Sequence, residues 1–109
     1  MIDVSYEIIE LMVFPEKEGF LNVVGKVRLK TIFSRNGVST YGRMEALLDT
    51  EALSSGTFIS VENLDVATVA AWAIAANGGE AFLSSLKEIH DPLLAYKENE
   101  IGLVRYEFP

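Results

Sequence analysis

Apolar residues recur at every second position at the start of the chain. Ile2, Val4, Tyr6, Ile8, Met12 and Phe14 hold even positions, with Asp3, Ser5 and Glu7 between them. Period two with one apolar face predicts a half-buried strand over residues 2–14. Pro15-Glu16-Lys17-Glu18-Gly19 carries turn chemistry and is expected to end it. A second strand is predicted over 20–34, where Val23, Val27, Leu29 and Phe33 share one face and Lys26, Arg28 and Lys30 the other. Asn36-Gly37 suits a two-residue type I′ turn, because both central positions need positive φ. A third strand follows from 38 to about 49. This turn pairs Arg35 with Val38, which sets Leu29 opposite Met44, Val27 opposite Ala46 and Arg28 opposite Glu45. For the first hairpin, apolar matching favours Ile8 opposite Val27, Tyr6 opposite Leu29 and Glu7 opposite Arg28. Arg28 then lies between Glu7 and Glu45, each cross-strand pair worth about 0.2 to 1 kcal/mol. Lys30 falls opposite Arg43, which is unfavourable unless an acid lies between them.

The pattern then changes to helical. After Ser54-Ser55-Gly56, residues 57–61 are expected to add a short fourth strand. Asp65 has the chemistry of an N-cap, with Leu64 before it and Val69 at the fourth helical position as a hydrophobic staple. A helix over 66–76 follows, closed by Asn77-Gly78-Gly79. A second helix is predicted over 80–90, with Phe82, Leu86 and Ile89 at helical spacing, and Asp91-Pro92 is expected to end it. Over 101–108, Val104, Tyr106 and Phe108 alternate with Arg105 and Glu107, the pattern of a closing edge strand. Strands first and helices second predict one α+β domain over residues 1–109. Its expected form is an antiparallel meander of three to four strands plus a C-terminal strand, with two helices packed on one face.

The first helix needs a special account. From Val66 to Ala76 the only polar side chain is Thr68, so no rotation gives it a solvated side. At about 16 Å it is too short to cross a bilayer. Either the sheet and the second helix sandwich it, or part of it is buried against another chain with Trp72 as the anchor, since Trp is enriched at interface centres. On the second account Trp72, Val69 and Ile74 are contact residues, and Tyr106 and Phe108 join them from the closing strand.

Composition narrows the chemistry. Sixteen acids against nine bases give a net charge of -7 over 109 residues, which argues against general affinity for nucleic acid or an anionic membrane. The imbalance is local: residues 1–43 hold six bases and five acids, residues 44–109 three bases and 11 acids. Lys26, Arg28 and Lys30, with Arg35, Arg43 and Tyr41 nearby, form a basic strand face whose centre Glu7 and Glu45 are expected to neutralise. No apolar run approaches a membrane span of roughly 18 residues. The first ten residues show no basic leader, so the mature chain is expected to be as written. With no cysteine, thiolate metal sites, disulfides and cysteine nucleophiles are excluded. His90 is the only histidine; Ser85, five residues earlier on a helix, is badly placed for it, and a histidine at a helix C-terminus is favoured by the dipole alone. Neither HExxH, a calcium loop, GxGxxG nor a phosphate loop occurs. No enzyme, cofactor, metal or small-molecule substrate is therefore expected.

The strand from Tyr6 to Phe14, the stretch Gly19-Phe20-Leu21-Asn22-Val23-Val24, the segment Gly37-Val38-Ser39-Thr40-Tyr41-Gly42 and the approach to the helix from Phe58 to Trp72 carry a pattern. It resembles small uncharacterised proteins of tailed bacteriophages, cyanophages among them, which have paired strands followed by a "VENL"-like helix start and a tryptophan. The similarity covers residues 6 to 75; the basic strand and the last 30 residues depart from it. The resemblance implies a viral, non-enzymatic protein in the virion or the host cytoplasm, and transfers no catalytic residue. The leading expectation is a structural or accessory protein that acts by protein–protein contact or self-association. The alternative is a small acidic inhibitor of a host protein that imitates nucleic acid.

Overall fold

The computed structural model describes residues 1–17, 19–48 and 63–108. Three strands, β1 (Asp3–Lys17), β2 (Phe20–Arg35) and β3 (Val38–Leu47), form one antiparallel sheet in the order β1-β2-β3, and two helices follow, α1 (Val66–Ala76) and α2 (Glu80–Asn99). The class is α+β, as the patterning predicts. The expected fourth strand over 57–61 lies outside the described residues.

The β2–β3 register follows from its turn. Asn36 and Gly37 both have positive φ (51° and 82°), and the pairs run from Arg35–Val38 through Arg28–Glu45 to Lys26–Leu47 without interruption. The β1–β2 register differs from expectation by two residues over 3–8 and 13–17 and by three over 10–12. Ile8 pairs with Leu29, and Glu10, not Glu7, pairs with Arg28. Glu7 lies opposite Lys30, so an acid does stand beside the Lys30–Arg43 pair. The register shifts twice, between Ile8 and Glu10 and between Met12 and Val13. Each shift changes which residues face the helices. As a result Leu11 packs on the core where even spacing would have put Met12, which is exposed, while Val23 is buried as expected and Val24 joins it. Pro15 does not stop β1, because it stands at a gap in the pairing opposite Asn22, whose φ is positive (53°), so its missing N–H breaks no ladder bond.

Both helices lie on the same sheet face. Val69, Ala70 and Ala73 of α1 pack on Val24, Val27, Leu29, Met44 and Ala46, each fully buried Val or Leu side chain contributing about 1.5–3 kcal/mol. Asp65 caps α1 as predicted, its Oδ1 accepting from the Thr68 N–H at 2.7 Å. Gly78 and Gly79 end it, their N–H groups donating to the Ala75 and Ile74 carbonyls at 3.3 and 2.8 Å. Beyond β3 the first hairpin continues as a two-stranded arm, which explains extents of 68 × 31 × 18 Å and a radius of gyration of 18.4 Å against roughly 13 Å for a compact chain of this size.

Two expectations about the second half are corrected. α2 does not end at Pro92 but continues to Asn99. A mid-helix proline loses one backbone hydrogen bond and crowds the preceding turn, so something must hold the helix on both sides of it. Arg35 does so. Its guanidinium donates to the Asp91 carboxylate and, at 2.7 and 3.0 Å, to Glu98 Oε1, while Asn36 donates to Glu98 Oε2. Leu94, fully buried, anchors the turn between them. The predicted C-terminal strand is also absent among the described residues: positions 103–108 form no ladder and are wholly exposed. Their alternation is that of a strand, but among the described residues they have no neighbour to pair with.

If the Arg35 clamp compensates for Pro92, Arg35→Met will lower helical content and melting temperature in the parent chain and have a smaller effect in a Pro92→Ala background. Equal losses in both backgrounds, measured by circular dichroism, would refute that coupling.

Candidate interaction surfaces

The residues with chemical potential are mostly spent on the fold. His90 lies mid-helix, not at a helix end, and is buried against the sheet. Its ring stacks on Phe33 with centroids 3.9 Å apart and an interplanar angle of 16°, and its Nδ1 shares a 2.8 Å hydrogen bond with Thr40 Oγ1. Gly42 lies against it: a Cβ there would sit in ordinary van der Waals contact, 3.4 Å from Nε2. Burial holds the imidazole below its ordinary pKa. Ser85 is turned away, its hydroxyl donating to the Ala81 carbonyl at 3.0 Å, so the hydroxyl beside the ring is that of Thr40, itself buried. Among the described residues no group of three or more His, Asp or Glu is placed to hold a metal ion.

The acids are similarly engaged. Glu45 bonds Arg28 Nε at 2.7 Å and lies 3.9 Å from Lys26, and Glu10 lies 3.8 Å from Arg28. Glu98 is held below the usual carboxylate range by hydrogen bonds from Arg35 and then Asn36, and Asp65 by the Thr68 amide at the start of α1. The basic strand face is therefore neutralised at its centre, by Glu10 where Glu7 was expected. What remains is a small cationic spot at the β3 side: Lys30 Nζ lies 4.3 Å and Lys97 Nζ 5.9 Å from the Tyr41 ring centroid. An open groove of about 380 Å³ beside it is lined by Ile9, Lys30, Tyr41, Gly42 and Arg43. No single described helix is long and apolar enough to cross a membrane.

The five predicted contact residues fall in three places. Val69 is fully buried in the chain's own core, so it is closed to any partner. Ile74 is half-buried and packs on that core, and Trp72 is half-buried on α1. The helix is thus only partly sandwiched, with Ala67, Ala71 and Ala75 exposed along its outside. Tyr106 and Phe108 are 75% and 87% exposed, touch each other edge to face at 5.3 Å, and lie in the unpaired segment rather than in the sheet. These two groups are not brought together into one site.

Two apolar surfaces escaped the sequence reading. One is the arm, where Met12, Val13, Phe14 and Leu21 are exposed. The other is the outer edge of β1, which has no strand beside it among the described residues and presents Ile8 and Ile9. Tyr6, on the same stretch, is partly buried, and burial together with the nearby Glu80 carboxylate keeps its phenol above the ordinary pKa. The unbroken even-numbered pattern hid this edge, because it implied a fully covered face.

Two expectations follow for the buried polar pair. The folded state resists protonating His90, so stability is complete above the unfolded pKa of about 6.5 and falls as pH drops through it; His90→Gln should flatten that slope between roughly pH 8 and 5.5. Thr31, also buried, has no partner for its hydroxyl. Thr31→Val should therefore raise stability by about 1 kcal/mol, seen as a higher urea midpoint at unchanged slope; a lower midpoint would show that the hydroxyl is satisfied. In comparisons with protein-family models, curated proteins and solved structures, nothing matches this chain.

Proposed function

We propose that this protein works by contact with other protein chains and not by catalysis, as a structural or accessory component of an assembly. One observation carries the reading: several ionisable groups pair with one another at the rim of the fold while large apolar groups face solvent. Arg35, Asp91 and Glu98 hold a helix to a turn, Arg28 pairs with Glu10 and Glu45, and His90 is locked to Thr40. Meanwhile Met12, Leu21, Leu103, Val104, Tyr106 and Phe108 are all more than half exposed. Exposed apolar surface of this kind marks sites of association.

Trp72 on α1 and the β1 edge are the proposed contact points. The resemblance of residues 6 to 75 to small tailed-phage proteins supports placing those contacts in a virion, or in its assembly within the host. The acidic-mimic alternative needs a row of free carboxylates, whereas Glu10, Glu45, Asp91 and Glu98 already have cationic partners.

A photo-crosslinking phenylalanine analogue at position 12 or 72, in the cells that make the protein, should give discrete protein adducts, whether to a second copy or to another chain. Absence of adducts from both positions would overturn the contact reading. Mass spectrometry of purified particles checks the virion placement separately.

A further inference from the structure

Among the described residues the outer edge of β1 has no strand beside it and the segment after α2 has no ladder, and the two complement each other. An edge strand offers N–H and C=O groups to a further strand, and in antiparallel pairing alternate residues direct both outward. Along β1 the first stretch, residues 3–8, is regular, and the shift between Ile8 and Glu10 interrupts it. Across the molecule, residues 103–108 alternate like a strand and have no ladder of their own. Leu103, Val104, Tyr106 and Phe108 are 74%, 88%, 75% and 87% exposed.

The geometry points to a second copy as the occupant: residues 104–108 of one chain add antiparallel to residues 4–8 of another and extend its sheet by a strand. This inference rests on the contact reading above and names the surface and the partner. Charge and side-chain pattern select one register. With Arg105 opposite Glu7, Val104 lies opposite Ile8, Tyr106 opposite Tyr6, Phe108 opposite Val4, and Glu107 opposite Ser5. Apolar residues then share a face and the one cation meets an acid, each such cross-strand pair being favourable. Sliding two residues either way sets Glu107 against Asp3 or against Glu7, which is repulsive.

A chain cannot make this pairing with itself. Glu98 is fixed at Arg35 and Asn36, at the end of the sheet where Asp3 pairs with Ser34. Two successive turns, Ile101 N–H to the Glu98 carbonyl and Leu103 N–H to the Glu100 carbonyl, then bend the chain at once, each spanning under about 7 Å. In the selected register Leu103 must lie level with Ile9, six residues or roughly 20 Å along β1 from Asp3. Reciprocal exchange between two copies closes a two-fold dimer, and one-way exchange builds an open chain.

Light scattering after size exclusion on the full chain, over a wide concentration range, tests this. A mass rising to at least twice that of one chain is expected, with amide exchange over 103–108 slowing as it rises. Tyr106→Pro removes a ladder donor from a segment outside the fold and should abolish association. Arg105→Glu should weaken it at least about tenfold, and Glu7→Arg combined with Arg105→Glu should restore it. A chain that stays monomeric overturns the proposal, and a monomer with protected amides at 103–108 would mean docking within one chain. Association that ignores all three variants also overturns it. If the purified chain is monomeric while crosslinks at positions 12 or 72 persist in cells, only this pairing falls; loss of both removes the contact reading as well.

Discussion

The grip of Arg35 on α2 sets the layout of the second half of the molecule. Arg35 stands at the last pair of β2 and β3, where the Asn36-Gly37 turn fixes its position, and it reaches Asp91 and Glu98 on either side of Pro92. Two carboxylates separated by about two helical turns can meet one guanidinium only if the helix between them is intact. The clamp therefore opposes the break that proline favours. It also decides where the helix ends, and so where residues 100–108 leave the fold. One forked, planar cation does what a lysine could not, since it donates to both acids and to a backbone carbonyl at once.

From this follows the division between inside and outside. A small domain has little core to spend, and here charged pairs at the rim supplement it: Arg35 with α2, Arg28 with both neighbouring strands, Lys97 with the Ser39 carbonyl at 2.7 Å. Exposed pairs of this kind contribute modestly one by one, but they fix geometry. The apolar groups left over, on the arm, the β1 edge and the segment after α2, are what the molecule offers to others.

What the sequence made legible, and what it hid, divides along physical lines. The β2–β3 register could be read residue by residue because a two-residue turn with obligatory positive φ leaves no slack. The start and stop of α1 were readable from Asp65 and Asn77-Gly78-Gly79, whose roles are local. The β1 register was missed because a slide of two residues leaves every side chain on the same face, and Leu11 was missed because the run 10–12 between the two irregularities is out of step with its flanks. The end of α2 was missed because Arg35 lies 56 residues from Asp91, beyond any local rule. His90 was assigned to a helix end for the same reason. Val69 was counted as surface because an all-apolar helix gives no hint of which side is covered.

The two edges of the sheet show why the strand-like segment belongs with β1 and not β3. On β3 the Ser39 carbonyl already accepts from Lys97, and the rings and ammonium groups of Tyr41, Lys30 and Lys97 crowd the adjoining surface. A strand approaching there would have to displace a charge-assisted bond. Natural edges are often defended in that way, or by bulges and inward charges. On β1 such devices, the irregularities at Ile9 and between Met12 and Val13 and the proline at position 15, all lie on the arm side and leave residues 3–8 regular. A bulge in this position limits a docking partner to about six residues. That is the length between the turn at Gly102 and the end of the alternating pattern at Phe108. An edge protected everywhere except over one short stretch, and a short unpaired segment of matching length and charge, are the two halves of one interface.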